Sequence, residues 1–347
     1  MPDLITDVFS PDAFSMVELT DAINVVPNQW GRIGELGIFG PGRGVTTIAV
    51  EIEINNQVLN ILPTGQRGAP GTLGVSGKRG VEMFRIPFIP HQDRVAAAEV
   101  MGVRSFGRAN QLQAVEEVVN DKLITLRMKH ALTLEWHRAG ALKGIILDAD
   151  GSTVLLNLFT RFGVTQKVVA FDLSNAASDI QGKCREVLRH IEDNLMGDRM
   201  TGVRALCSPE FFDAFTGHAK VAEAYKYFEA TQNLLRDDVR RGFPHQGITW
   251  EEYRGSGSNL LADGTTATRR FIPAGDVRFY PENTTQSFDT YFAPADYMET
   301  VNTIGREIYV KPIPEPDNRG VTLDSQSSPL PICKRPAVLV RGHSAAP

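Results

Sequence analysis

Cysteine is scarce in this chain, and its placement excludes two kinds of scaffold. The three cysteines, Cys184, Cys207 and Cys333, are far apart and show no CxxC spacing. Neither a zinc knuckle nor a disulfide framework is supported, and a reducing cytoplasm is the expected compartment of synthesis. An export signal is missing too, because MPDLITDVFSPDAFSMVELT carries acids where a basic region belongs and has no continuous apolar core. No apolar run approaches the ~20 residues of a membrane-spanning helix. Basic clustering is equally absent: 36 Lys and Arg face 41 Asp and Glu, a formal net charge of -5 with both signs mixed, which excludes a stripe for tight duplex binding. What is present is a globular composition, 42% hydrophobic and 22% charged over 347 residues, enough to bury a core in one large or two modest domains.

Proline is absent from the middle. Eight of the 20 prolines lie in residues 1–90 and ten in 273–347, with none between Pro90 and Pro209, so helices can run there. Gly107 and Gly140 bracket 32 residues free of both glycine and proline. In that stretch Leu112, Val115, Val119, Leu123 and Leu126 recur at helical spacing, continued less regularly by Met128, Leu132 and Trp136. The pattern predicts one long helix of roughly 50 Å, with a hairpin broken at Asn120 and Asp121 as the alternative.

Ahead of it, TTIAVEIEINNQVLNIL (46–62) and VEMFRIPFIP (81–90) alternate as strands, the second closing on its prolines, around the glycine-rich GQRGAPGTLGVSGKRG. Such a two-stranded arm is marginal alone in water and needs a surface to lie on. After the helix, GIILDADGSTVLLNLFTRFG predicts a hairpin about its DADG turn. Asp172 or Ser174 is placed to cap a helix with an apolar stripe of Ala177, Ile180, Cys184, Val187, Leu188, Ile191 and Leu195. VRALCS, PEFFDAFTGH, KVAEAYKYFEATQNLLRDD and GITWEEYRG follow as a strand, two helices and a strand. The interleaving is that of a mixed α+β protein, without a βαβ rhythm or a solenoid repeat.

Catalytic patterns are lacking. SGKRG at 76–80 fails as a phosphate loop, because Thr72 replaces the required glycine and Arg79 the required hydroxyl. GPGRG at 40–44 has the wrong spacing for a dinucleotide fingerprint and reads as a turn. His130 and His137 are seven apart on the predicted helix, too far for a two-histidine metal site, and read as solvated or interface residues. His245 has no activating neighbour, the serines of GSGSN no nucleophile elbow, and the adjacent acids Asp237 with Asp238 and Glu251 with Glu252 point apart. The expectation is a protein that is not an enzyme, with no catalytic, metal or cofactor site; a hydrolase using His245 is the least favoured alternative.

The most specific pattern is SFDTYFAPADYMETVNTIGREIYVKPIPEPDNRGVTLDSQSSPLPICKRPAVLV, residues 287–340. With GITWEEYRG and IPAGDVRFYP it spans about a hundred residues and resembles the carboxyl end of the lambda-type major capsid protein E family of tailed bacteriophages. The resemblance implies an α+β fold of the Hong Kong 97 type: an amino-terminal arm (1–40), an extended two-stranded loop (41–92), a peripheral domain with a long spine helix (93–164), a compact axial domain (165–290) and a carboxyl strip returning to the peripheral domain (291–347). It implies a head protein that assembles as hexamers and pentamers into an icosahedral shell in the host cytoplasm and resides in the virion. A phage tail or ligand-binding structural protein is the runner-up.

Implied partners are further copies of the chain, a separate scaffolding protein, the portal, a decoration protein and packaged DNA, the last met weakly because a mildly acidic surface lets phosphate slide past. Gly65, Arg67, Gly68, Lys78 and Arg79 form the expected intersubunit loop tip. Some relatives join a lysine to an asparagine of the next subunit, and Lys78 is the only lysine of this loop, but the lambda-like members rely on decoration proteins instead. Prolines 329, 331 and 336 confine the last segment to an edge strand or an extended strip. Leu330, Ile332, Val338 and Val340 are its expected anchors.

Overall fold

The computed structural model describes residues 15–25, 31–55, 79–102, 111–229, 239–260, 265–316 and 319–345. They divide into two compact units, one of residues 1–50, 85–137 and 290–331 and the other of residues 51–84, 138–289 and 332–347.

The first unit lays a helix on a three-stranded antiparallel sheet. Its strands are Tyr309–Pro314, Gly320–Ser327 and Ile89–Ala96, with Gly320–Ser327 in the middle. Proline enters only the outer two, as Pro90, Pro312 and Pro314, where a missing N–H can face away from the ladder. Residues 81–90 are therefore not one strand closing on its prolines: Arg79–Arg85 ends before a link at 86–88 that is not strand, and a new strand starts at Ile89 and runs through Pro90. Alternation along the central strand turns Val321, Leu323 and Ser325 to one face. Val321 and Leu323 join Val95, Ile308 and Val310, Leu19 and Ile23 of the helix Met16–Val25, and Val119, Leu123 and Leu126 of the long helix in one buried cluster.

That long helix is continuous from Gln111 to Lys143, 33 residues without a break at Asn120 or Asp121. It runs past the expected limit at Gly140, where any Cβ would lie only 3.0 Å from Ile146 Cα. Glycine is suited to this last turn of the helix because the following strand crosses so closely. The histidines correct the sequence reading. His130 and His137 are 5% and 2% exposed, not solvated, and Glu135 between them is 2% exposed. Glu135 Oε1 accepts from Ile33 N–H at 2.8 Å and Oε2 from Gly34 N–H at 3.2 Å, so a carboxylate on the helix caps the turn Arg32–Glu35.

The second unit is built on a six-stranded sheet in the order Lys167–Ala170, Val340–His343, Asp276–Glu282, Gly202–Cys207, Ile248–Glu252, Phe243–His245. Its apolar face carries Trp250 and Phe279, packed with Phe171 and with Phe211 and Phe215 of the helix Pro209–Thr216. Ile180, Cys184, Val187 and Ile191 form the buried stripe of the helix Ile180–Asn194. Its cap is Asp179, which accepts from Gly182 N–H, and not Asp172 or Ser174. Asp172 adopts φ 49° and spends its carboxylate on Ser174, Asn175 and Ser178 in the preceding turn, leaving Ala177 exposed outside the helix. The DADG hairpin forms as expected between Ile145–Leu147 and Val154–Asn157, with Asp150 accepting from Ser152 and Thr153 and Gly151 at φ 67°.

Candidate assembly surfaces

The residues of the YFAPADYMETVNT motif cover the second face of the central strand Gly320–Ser327. Tyr297 OH donates at 2.9 Å to Asp324, and Asp296 N–H donates at 2.8 Å to Gln326 Oε1. Burial, and then Asp324 itself, push the Tyr297 phenol up. Thr300 closes the turn by donating to Ala295 O at 2.6 Å. Phe292, Ala293 and Ala295 of the motif are buried, whereas Met298 and Val301 within it and Ile304 just after it are 88%, 58% and 69% exposed. Ile304 lines a groove of about 360 Å³ together with Met16, Val17 and Tyr309. Large apolar side chains exposed together mark contact surfaces in soluble proteins.

A second exposed set follows the strand Arg79–Arg85, which pairs with Ala49–Asn55 in a two-stranded sheet. Phe84 is buried and stacks on Phe162 at 5.5 Å, whereas Val81 and Met83 are 55% and 59% exposed. Of the expected loop tip, Gly65, Arg67, Gly68 and Lys78 lie outside the described residues, and Arg79 is placed as the first residue of this strand.

Along the carboxyl strip Leu330, Ile332 and Val338 are fully buried and Val340 is 1% exposed. Pro329 and Pro331 lie in Pro329–Cys333, an edge strand of a small sheet with Arg43–Gly44 and Phe288–Phe292. Val340 goes elsewhere. Its strand, Val340–His343, is interior to the six-stranded sheet between Lys167–Ala170 and Asp276–Glu282, within the stretch expected as the axial domain. No proline follows Pro336 until the last residue, so this strand can pair on both sides.

Two polar seams lie inside the units. In the first, His130 Nε2 is 3.0 Å from Ser325 Oγ, and Ser325 Oγ donates to His91 O at 2.6 Å. The serine proton is committed, so neutral His130 is the donor through Nε2–H. His91 Nε2 accepts from Lys129 Nζ at 2.9 Å, and the two imidazoles meet edge to face with centroids 6.4 Å apart. Burial, then His91, Arg127 and Lys129, push His130 down to about 4. Burial and Lys129 lower His91 against an opposing pull from Asp93.

In the second unit, Asp276 accepts from Arg278 at 2.7 Å and from Arg341 at 3.0 and 3.1 Å. Lys143 is pushed down to about 8 by burial and by Arg278, with Asp276 opposing. The thiols are inert, since burial raises Cys184 and Cys333 to about 12 and Cys207 well above its ordinary value.

His245 has its ring packed on Phe215 and Phe243, at 5.7 and 5.8 Å, and burial lowers it. Glu251 is bound to Arg204 at 2.6 Å. Among the described residues no cluster of His, Cys, Asp and Glu has the grouping to hold a metal ion, and no helix is long and apolar enough to cross a membrane.

The long helix on a three-stranded sheet, the separate six-stranded sheet and the two-stranded ribbon define a viral shell fold of the Hong Kong 97 type. A capsid protein assigned to a prophage of Escherichia coli CFT073 superposes with a TM-score of 0.58 at 12% identity, over 95% of this chain and 98% of that one. The model of the family described as phage major capsid protein E matches residues 15–344, and the chain belongs to that family. The major capsid protein of Pseudomonas phage KPP10 is 31% identical, covering 96% of this chain and 97% of the relative. That of Salmonella phage Felix O1 is 25% identical, covering 94% and 95%. The chain is thus a structural protein of the virion, whose copies self-assemble in capsomers into the shell of a tailed phage head.

Proposed function

We propose that the shell is closed by the two-stranded ribbon built on Ala49–Asn55 and Arg79–Arg85 lying on a neighbouring copy, with hexamers and pentamers differing in how that ribbon and the amino-terminal arm bend. The observation that carries this reading is the exposure of Val81 and Met83 on a strand paired in a sheet of only two, a ribbon too small to be stable alone. The subunit works by geometry and not by catalysis. A separate scaffolding protein, a portal and a decoration protein complete the head, and packaged DNA is contacted without specificity, as the net charge of -5 favours. Deleting Pro63 to Arg79 tests the role of the ribbon: the expected product is a folded, soluble subunit that forms no shells. Closed particles of normal size from that variant would overturn it.

A further inference from the structure

We propose that His91, Lys129, His130 and Ser325 form an acid-operated latch between the long helix and the strands Ile89–Ala96 and Gly320–Ser327. In the neutral state His130 donates to Ser325 and Lys129 donates to His91, so every contact pairs a donor with an acceptor. A proton on His91 removes the lone pair that Lys129 uses and leaves two cations in place of a 2.9 Å hydrogen bond. A proton on His130 adds a third charge to a buried ring that already faces Arg127 and Lys129 from its own helix.

The surrounding acids are already committed. Asp93, on the strand of His91, is held by Lys122 at 3.2 Å, and Glu307, before the first strand, is held by Arg127 at 3.0 Å. Asp324, beside Ser325 in the chain, is occupied by Gln92, Tyr297 and Gln326. The remaining basic charges of the sheet have acid partners just outside it, Arg94 with Glu315 and Lys311 with Glu299, each at 2.6 Å. Next to the latch on the same strands come Val95 and Leu323 of the buried cluster, so separating it opens the apolar layer.

The sign follows from the ring's preference for neutrality. Folded His130 stays neutral down to about 4 whereas an unfolded chain takes up its proton near the ordinary 6.5, so the stability it contributes is complete above 6.5 and is lost as pH falls between the two.

Hydrogen exchange of the full chain, corrected for the intrinsic rate, tests this between about pH 7 and about pH 4.5. Protection in 89–96 and 320–327 is expected to fall about tenfold or more, while 202–207 in the other unit changes less than about twofold. A double variant, His91→Gln with His130→Gln, keeps a donor to Ser325 and an acceptor for Lys129 without titrating, and is expected to retain protection. Should it fail to melt cooperatively at neutral pH, His91→Gln alone replaces it and is expected to reduce the wild-type loss. Equal loss in both sheets, or a loss in the variants as large as in the wild type, overturns the latch.

Discussion

At the scale of single residues, this fold depends on a few polar side chains inside it more visibly than on its surface. Glu135 is the clearest case. Its buried carboxylate holds Ile33 and Gly34 N–H, and the chain reaches it through Gly31 at φ 108°, where any Cβ would run into Glu135 Oε2. Gly31→Ala is therefore expected to lower stability by about 1–3 kcal/mol, through both the left-handed backbone and the displaced carboxylate, as read from the denaturant midpoint. An unchanged midpoint would mean that the turn relaxes without cost.

None of these pairings was legible in the sequence, since residues 31 and 135 are remote in the chain. One hint was there for Ser325. In GVTLDSQS the inward positions read Val, Leu, Ser, and a polar residue in an apolar register needs a buried partner. His130 provides it.

At the scale of elements, legibility followed the strength of the local signal. The long helix was readable because 32 residues without glycine or proline leave the backbone no reason to stop, and it overran its expected end only because Gly140 is a contact glycine and not a terminator. The cap at Asp179 was missed because Asp172 and Ser174 are equally good cap residues, and the choice is made by a turn in which Asp172 binds its own neighbours.

The carboxyl strip was readable as buried but not as interior. Prolines 329 and 331 marked an edge strand correctly, whereas Val340–His343 lies between two other strands, a non-local pairing that no periodicity reports. Removing residues 329–347 takes away that interior strand together with Leu330, Ile332, Val338 and Val340, each worth roughly 1.5–3 kcal/mol when buried. That sum is comparable with the ~5–15 kcal/mol holding a typical domain together. The truncated chain is expected to be insoluble or unfolded, and a soluble truncation melting cooperatively at the wild-type temperature would contradict the sheet order.

At the scale of the whole molecule, each unit buries its own apolar residues and still leaves large ones outside. Met298, Val301 and Ile304 in one unit and Val81 and Met83 in the other are left exposed by the described residues, which is the condition expected of a subunit completed by its neighbours. Family membership makes those neighbours further copies of the same chain. Electron microscopy of the purified full-length protein tests this claim most directly. Closed shells, or the tubes and sheets that form when closure lacks a partner, are the predicted result, whereas a strict monomer at every concentration and salt condition would contradict it.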